Sequence, residues 1–186
     1  MARIPTANRN SVPQDQLDAF DEYVAGRGSI PDSGPLSVMI HVPELIKRGE
    51  HLRAYLRGEE SSLPLNVREL GMLVTAREMD CQFIWNAHAA LGRQSGLSDE
   101  LVDGLRDGKE LPALSEAESA VIDYGRELFR TRRVSEETFQ RAMGQFGNRG
   151  LVELTTLMGY YSCLAFNINA FAVGLPESIT EAPLPV

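Results

Sequence analysis

The sequence predicts an all-α protein of about seven or eight helices, and three observations support this fold class. Apolar residues recur every three to four positions through most of the chain after Pro43, as they do on one face of a helix. Serines that can cap helices precede acidic segments at Ser98, Ser115 and Ser135. No stretch shows the alternation of apolar and polar residues that a half-buried strand requires.

The first 33 residues are predicted to form an irregular segment that packs on the core or on a partner subunit. Pro13, Pro31 and Gly28 are among the residues that interrupt any long regular element there. Only a short helix, over about residues 14–24, fits the apolar pattern of this segment.

Three helices are predicted between Pro43 and Gln94. Pro43 suits the first position of a helix, which Gly58 would end. Pro64 would begin the second helix. The third is expected to run from an N-cap at Asp80 to about Gln94.

Three further helices are predicted to begin at the serine caps, and a last helix is predicted to run from about Arg149 to Phe171. Ser115 and Glu118 fit a capping box, in which each side chain bonds the backbone amide of the other residue. The last helix is nearly continuous in apolar and aromatic residues, so we expect it to be the central buried helix.

Length and composition suit one domain, since the chain has 186 residues, of which 43% are hydrophobic and 24% charged. We expect an N-terminal segment over residues 1–33, a helical domain over 34–177 and a tail over 178–186. The net charge of −8 argues against a nucleic-acid partner. No apolar run approaches the ~18 residues of a membrane span, and the N-terminus lacks an apolar stretch like that of a signal peptide. The expected location is the cytoplasm.

The cysteine content excludes three kinds of structure. Cys81 and Cys163 are far apart in the sequence and form no Cys-x-x-Cys pair. The chain therefore has no disulfide framework, zinc knuckle or thioredoxin-like redox pair. We expect neither a metal nor a cofactor.

One predicted helix concentrates the reactive side chains. Cys81, Ile84, Trp85 and His88 follow one another at i, i+3, i+4 and i+7, so they lie on one face. Cys81 is expected at the first helical position, where the helix dipole would lower the pKa of its thiol. Seven residues rise about 10 Å, so Cys81 and His88 would line one pocket without touching. A hairpin with the preceding helix would bring Glu69 against this face.

A structural role is the alternative for each of these residues. A lone cysteine or histidine on an apolar helix face often packs in the core, and Trp85 suits a core or a subunit interface. Cys163, in the last helix, is interpreted as a packing residue. His41 precedes a predicted helix in a loop, from which it can reach a pocket.

Several short segments together resemble the carboxymuconolactone decarboxylase family, which includes the AhpD-type alkylhydroperoxidases. The resemblance extends over about residues 34–177. The segments that carry it are Val67-Arg-Glu-Leu70, Thr75-Ala-Arg77, Cys81, Trp85-Asn-Ala-His88, Gly34-Pro-Leu36, His41-Val-Pro-Glu-Leu45 and Gly96-Leu-Ser-Asp-Glu100. Leu151-Val-Glu-Leu154, Gly159-Tyr-Tyr161 and Asn169-Ala-Phe171 resemble the closing helix of the family. It implies an all-helical fold that assembles into trimers or hexamers, with a small-molecule pocket near the subunit contacts.

The peroxidase branch of the family has a Glu, a Cys-x-x-Cys pair and a His four positions after the second Cys. Glu69, Cys81 and His88 match this pattern, whereas Ile84 stands where the peroxide-attacking cysteine would be. This helix therefore cannot run an internal dithiol–disulfide cycle. A single thiol at Cys81 would need an external thiol to resolve it.

The decarboxylase branch needs no thiol pair. The resemblance implies that His88 acts as general acid/base and that Glu69 sets its tautomer and charge. Cys81 and Trp85 would line the pocket. Arg77 would either bind a substrate carboxylate or lie at the surface as a helix-end residue.

The leading interpretation is a carboxymuconolactone decarboxylase-like enzyme with acid/base, lyase-type chemistry on a small acidic or lactone-type molecule. An AhpD-like alkylhydroperoxidase that uses Cys81 is one alternative. The other is a non-catalytic oligomeric binding protein whose site has decayed.

Overall fold

The computed structural model describes residues 2–186, and across these residues the chain forms eight α-helices and no β-strand. The predicted all-α class is therefore confirmed. A short 3-10 turn, Gln14–Gln16, leads into the first helix. The helices are α1 Leu17–Arg27, α2 Gly34–Met39, α3 Pro43–Arg57, α4 Leu65–Glu78, α5 Gln82–Gln94, α6 Asp99–Asp107, α7 Glu116–Thr131 and α8 Glu136–Ala170. None of these helices is long and apolar enough to cross a membrane.

The central helix of the fold is α4, which packs against α5, α7 and α8. Its residues 69–76 are all buried, so it is covered on every side. The expectation that the last helix is central is wrong. Helix α8 packs on α4, α7, α2 and α3, but its outer side leaves Val152 and Phe166 65% and 64% exposed.

A glycine at position 125 allows α7 to approach α4 and α8 closely. A Cβ atom at Gly125 would lie 2.7 Å from Val74 Cγ1 and 2.9 Å from Met158 Cε. These distances are shorter than van der Waals contact, so no other residue fits there without a shift of its neighbours.

The connection between α4 and α5 takes only three residues. Asp80, expected as the N-cap of α5, has a left-handed backbone (φ 47°), and Cys81 is the N-cap instead. The backbone N–H of Cys81 donates to the carbonyl of Ala76, which closes the end of α4. The tight reversal therefore displaces the helix start by one residue from the position that Asp80 predicts.

The predicted serine caps agree with the structure. Each serine hydroxyl accepts a hydrogen bond from the backbone N–H three residues later, and the three pairs are Ser98–Leu101, Ser115–Glu118 and Ser135–Thr138. The capping box is confirmed, because the Ser115 N–H also donates to Glu118 Oε2 at 2.8 Å.

Helix α8 consists of two helical segments joined at Gly147. This residue has φ 62° and ψ −178°, a backbone conformation that is essentially restricted to glycine. The sequence predicts the same two segments, one beginning at Ser135 and one at about Arg149.

Both ends of the chain pack on the helical core. Helix α1 contacts α3, and Phe20, Ile40 and Ile46 belong to a second, smaller apolar cluster. The C-terminal residues lie against α5, where Asn86 Nδ2 donates to the carbonyl of Glu181 at 3.0 Å. Leu184 is buried in the main core.

Candidate active site

Glu69 of α4 and His88 of α5 form a buried hydrogen-bonded pair. His88 Nδ1 lies 2.8 Å from Glu69 Oε2, and the two side chains are 7% and 3% exposed. An ionised carboxylate only accepts hydrogen bonds, so Nδ1 carries a hydrogen and Nε2 of a neutral ring is the acceptor. Gly92 lies one turn after His88, and a Cβ atom there would be 3.1 Å from Leu73 Cδ1. The glycine thus permits the close helix approach that joins the pair.

His88 forms part of the wall of a cavity of about 770 Å³ between α1, α2, α3, α5 and α8. This volume suits a small organic molecule. The apolar part of the wall is formed by Ala19, Pro35, Leu36, Ile46, Phe83, Ile84, Ala87 and Leu164. Within residues 2–186 no protein group bonds His88 Nε2, so a molecule in the cavity can reach this nitrogen.

Tyr161 of α8 lies beside the histidine. The rings of His88 and Tyr161 meet edge to face, with centroids 5.1 Å apart and an angle of 84° between their planes. Burial raises the pKa of Tyr161 to about 12, and the nearby Arg57 only partly opposes this effect. The phenol therefore stays protonated at neutral pH and can donate a hydrogen bond.

The cavity wall is basic although the whole chain is acidic. Four basic side chains and two acidic ones line it: Arg27, Lys47, Arg53, Arg57, Glu22 and Glu50. Lys47 pairs with Glu22, and Arg53 pairs with Glu50. Arg27 and Arg57 make no hydrogen bond or ion pair to any residue of the described chain. A protein with a net charge of −8 thus places two uncompensated cations around one cavity.

Cys81 is fully buried in the main core and lies outside the cavity wall. Burial raises the pKa of its thiol, while the backbone amides of Ile84 and Phe83 lower it to a smaller extent. The expectation of a lowered thiol pKa is therefore wrong. The helix end favours the thiolate as predicted, but loss of solvation outweighs it.

The other residues proposed from the sequence for the pocket occupy different places. Ile84 lines the cavity, whereas Trp85 is buried in the main core. Arg77 pairs with Asp80 at 2.8 Å, and His41 Nε2 lies 3.1 Å from the carbonyl oxygen of Pro5. Trp85, Arg77 and His41 do not line the cavity.

Sequence reasoning assigns no role to Tyr161, Arg53 or Arg57, although all three line the cavity. The tyrosine lies in a segment that resembles the closing helix of the family, and this was its only signal. The arginines lie four residues apart on α3, a spacing that places them on one face but gives no hint of a facing cavity. Nowhere in residues 2–186 do three or more His, Cys, Asp or Glu side chains cluster as a metal site would require.

Comparison with protein families finds one matching region in the chain. Residues 43–127 match the model of the carboxymuconolactone decarboxylase family. The match runs from α3 into α7 and contains both Glu69 and His88. This region of the chain is therefore similar to the family, which agrees with the resemblance described from the sequence. A search of the curated proteins finds no match to the sequence.

Solved structures show the same fold. A peroxidase-related protein from Ralstonia eutropha JMP134, described as an alkylhydroperoxidase AhpD core, aligns with a TM-score of 0.70 and 14% identity, over 95% of this chain and 93% of its own. A peroxidase-related protein from Silicibacter sp. TM1040 aligns with a TM-score of 0.68 and 17% identity, over 95% and 92%. A protein of unknown function from Agrobacterium tumefaciens, a candidate antioxidant defence protein AhpD, aligns with a TM-score of 0.65 and 20% identity, over 73% of this chain and 93% of its own. At these identities the likeness establishes an AhpD-like fold and nothing further.

Proposed function

We propose that this protein is an enzyme that performs acid/base, lyase-type chemistry on a small acidic organic molecule. The observation that carries the proposal is the buried Glu69–His88 pair, whose second imidazole nitrogen is available to a cavity. A histidine held in one tautomer by a carboxylate is suited to transfer a proton in both directions near neutral pH.

Decarboxylation of a lactone acid fits this arrangement. The bond between the carboxyl carbon and the ring carbon breaks, carbon dioxide leaves, and the electron pair delocalises into the conjugated carbonyl of the substrate. His88, protonated at Nε2, then returns a proton to carbon. The Glu69 carboxylate 2.8 Å from Nδ1 stabilises the imidazolium that this step requires.

The basic cavity wall supports an acidic substrate. Arg57 has no carboxylate partner in the described chain and lines the same cavity as His88. Cations in a cleft attract anions and raise their local concentration, even where the net charge of the protein is negative. We propose Arg57 as the side chain that binds a substrate carboxylate.

The proposed acid/base role is tested with His88→Gln and Glu69→Gln. Lactone acids and small dicarboxylates are screened by thermal shift, since a ligand that binds the folded state raises the melting temperature. With a ligand that is turned over, His88→Gln should reduce kcat about 100-fold or more, the usual contribution of a general acid.

The matched control is His41→Gln, a histidine outside the cavity wall, which should keep wild-type kcat. Unchanged turnover in both His88→Gln and Glu69→Gln would refute the acid/base assignment.

A peroxidase activity centred on Cys81 is the second candidate. The descriptions of the structural neighbours as peroxidase-related favour it, whereas the full burial of Cys81 and its raised thiol pKa count against it. Treatment with mild peroxide followed by mass spectrometry distinguishes the acid/base enzyme from the peroxidase. Rapid sulfenic acid or mixed-disulfide formation at Cys81 in the folded protein would favour the peroxidase.

A decayed binding protein is the third candidate. Such a protein would be expected to fill the space beside the Glu69–His88 pair with apolar side chains. The cavity beside His88 favours the enzyme over this alternative.

We also propose that the protein is a homo-oligomer, a trimer or a hexamer, as the family resemblance implies. Val152, Thr156, Cys163 and Phe166 lie at i, i+4, i+11 and i+14 on the outer face of α8, and all but Thr156 are apolar. We define these four residues as the α8 outer face. Exposed apolar patches of this kind mark contact surfaces, and a second copy of the chain is the proposed partner.

A further inference from the structure

Tyr161 lines the same cavity as His88 and Arg57. Its ring packs edge to face on His88, with 5.1 Å between the ring centroids. Burial is the main cause that raises the pKa of the phenol, and the charge of Glu69 raises it further. Arg57 lowers that pKa. The phenol ring therefore contacts the proton-transferring histidine and shares a cavity with the proposed carboxylate-binding arginine.

The hydroxyl of Tyr161 has no hydrogen-bond partner within residues 2–186, although the residue is only 3% exposed. Buried hydroxyl groups are nearly always paired, because an unpaired one costs free energy. Tyr124, the other buried tyrosine, follows this rule, since its hydroxyl lies 2.8 Å from Thr155 Oγ1. The hydroxyl of Tyr161 is not sealed in the core, because within residues 2–186 the only fully buried side-chain polar atom without a partner is Arg68 Nε. Since Tyr161 lines the cavity, its hydroxyl is available to a bound molecule.

We propose that the Tyr161 hydroxyl donates a hydrogen bond to the substrate oxygen on which negative charge develops while His88 transfers the proton. In the decarboxylation above, the electron pair of the broken carbon–carbon bond moves through the conjugated system onto the carbonyl oxygen. The O–H of Tyr161 stabilises that oxyanion without giving up its proton. When His88 returns a proton to carbon, the electron pair moves back, and the carbonyl is restored.

The raised pKa of Tyr161 agrees with this role. A phenol that remains protonated at neutral pH can donate a hydrogen bond to a bound oxyanion. A donor fixed by packing before the substrate arrives is the arrangement that stabilises a developing oxyanion most effectively. The kinetic consequence of this role rests on the proposed function of His88.

A binding experiment tests the oxyanion site without turnover. The probe is 4-nitrophenolate, an aromatic oxyanion that absorbs visible light, at a pH at which it is ionised. Tyr161→Phe keeps the ring and removes only the hydroxyl, so we expect it to weaken 4-nitrophenolate binding at least about tenfold, as loss of a hydrogen bond to a charged group does.

Two controls isolate the hydroxyl. Tyr160→Phe removes a neighbouring hydroxyl from the same cavity wall, 5.8 Å between ring centroids, and should change the Kd of 4-nitrophenolate less than about twofold. The neutral ether 4-nitroanisole has the same ring but no oxyanion, so it should bind wild type and Tyr161→Phe equally.

The stability of Tyr161→Phe separates a functional hydroxyl from a structural one. A hydroxyl without a protein partner contributes nothing to folding, so its removal should leave the melting temperature unchanged or raise it. On a substrate that is turned over, the same variant should lose about 100-fold in kcat with little change in KM.

Three results would overturn the proposal. The first is that Tyr161→Phe binds 4-nitrophenolate as tightly as wild type does. The second is that wild type does not prefer 4-nitrophenolate to 4-nitroanisole. The third is that Tyr161→Phe and Tyr160→Phe lose the same affinity for 4-nitrophenolate. Failure of the acid/base function is distinguishable from these, because His88→Gln would then retain turnover while the Tyr161-dependent binding persisted.

Discussion

At the scale of single residues, the protein uses two buried carboxylates in different ways. Glu69 bonds one imidazole beside a cavity, whereas Glu153 on α8 is enclosed by donors. Its two oxygens accept hydrogen bonds from Tyr55, Ser61, Arg149 and both the backbone and the hydroxyl of Ser62. Burial raises the pKa of Glu153, but these donors outweigh it and hold the pKa at about 2. Glu153 therefore holds the loop that precedes α4 against helix α8.

Glu153→Gln should destabilise the fold by about 2–3 kcal/mol at neutral pH. The pKa is about 2 in the folded state against 4.5 unperturbed. The ionised carboxylate therefore stabilises the fold fully above about pH 4.5, and this contribution is lost as the pH falls toward 2. Urea unfolding of wild type and Glu153→Gln should show that the difference between their free energies of unfolding shrinks as the pH falls from 4.5 toward 2.

The control for that experiment is Glu59→Gln, an exposed residue of the same loop without a hydrogen-bond partner in the described chain. Its effect on the free energy of unfolding should stay within about 0.5 kcal/mol. A pH-independent effect of Glu153→Gln would contradict the assignment.

Arg57 is the second residue at which one change is informative. Arg57→Gln removes one of the two unpaired cations of the cavity wall, the one proposed to bind the substrate carboxylate. KM for an anionic substrate should therefore rise about tenfold while kcat changes little. Steady-state kinetics measure both. Arg48→Gln, which lies on the same helix but outside the cavity wall, is the control. Equal KM values for Arg57→Gln and wild type would show that the carboxylate binds elsewhere.

At the scale of helices, local sequence fixes where most elements begin, and close packing fixes how they meet. The serine caps and Pro43 define helix starts through contacts within one turn, so they are readable from the sequence. The glycines at helix contacts are different. Gly125 and Gly144 look alike in the sequence, yet only Gly125 lies against another helix.

Gly125→Ala should destabilise the protein by about 1–3 kcal/mol, since its Cβ would overlap the stiff side chain of Val74. Gly144→Ala, where nothing lies within 4 Å of the added atom, should instead stabilise by up to about 1 kcal/mol. Thermal unfolding of the two variants compares them. If both variants were stabilised, or both were destabilised, the proposed packing of α7 on α4 would be contradicted.

At the scale of the whole molecule, the cavity and the α8 outer face depend on how distant segments assemble. The cavity wall draws on five helices, from α1 to α8, and its basic character arises because α1 and α3 contribute the charged side chains. The cavity wall is basic, whereas the α8 outer face is apolar. The cavity therefore suits a small acidic ligand, and the α8 outer face suits a second copy of the chain.

Phe166→Lys should weaken the proposed oligomer, because it places a charge in an apolar contact. Light scattering after size exclusion should show wild type at a multiple of the 20.5 kDa chain mass and Phe166→Lys at or nearer that mass. Ile179→Lys, at an exposed apolar residue of the C-terminal tail, is the control and should assemble as wild type does. A wild-type protein of 20.5 kDa would refute the oligomer.

The sequence by itself determined the all-α class, most helix boundaries and the choice of Glu69 and His88 as a pair worth testing. These features rest on contacts within a helical turn or on the short segments that resemble the family. Only the tertiary structure decided that Glu69 contacts His88, that Cys81 is sealed in the core with a raised thiol pKa, and that Tyr161 and Arg57 share their cavity. The reason is physical: burial, cavity shape and the solvation of a charge depend on which remote segments pack together, and no local pattern records that.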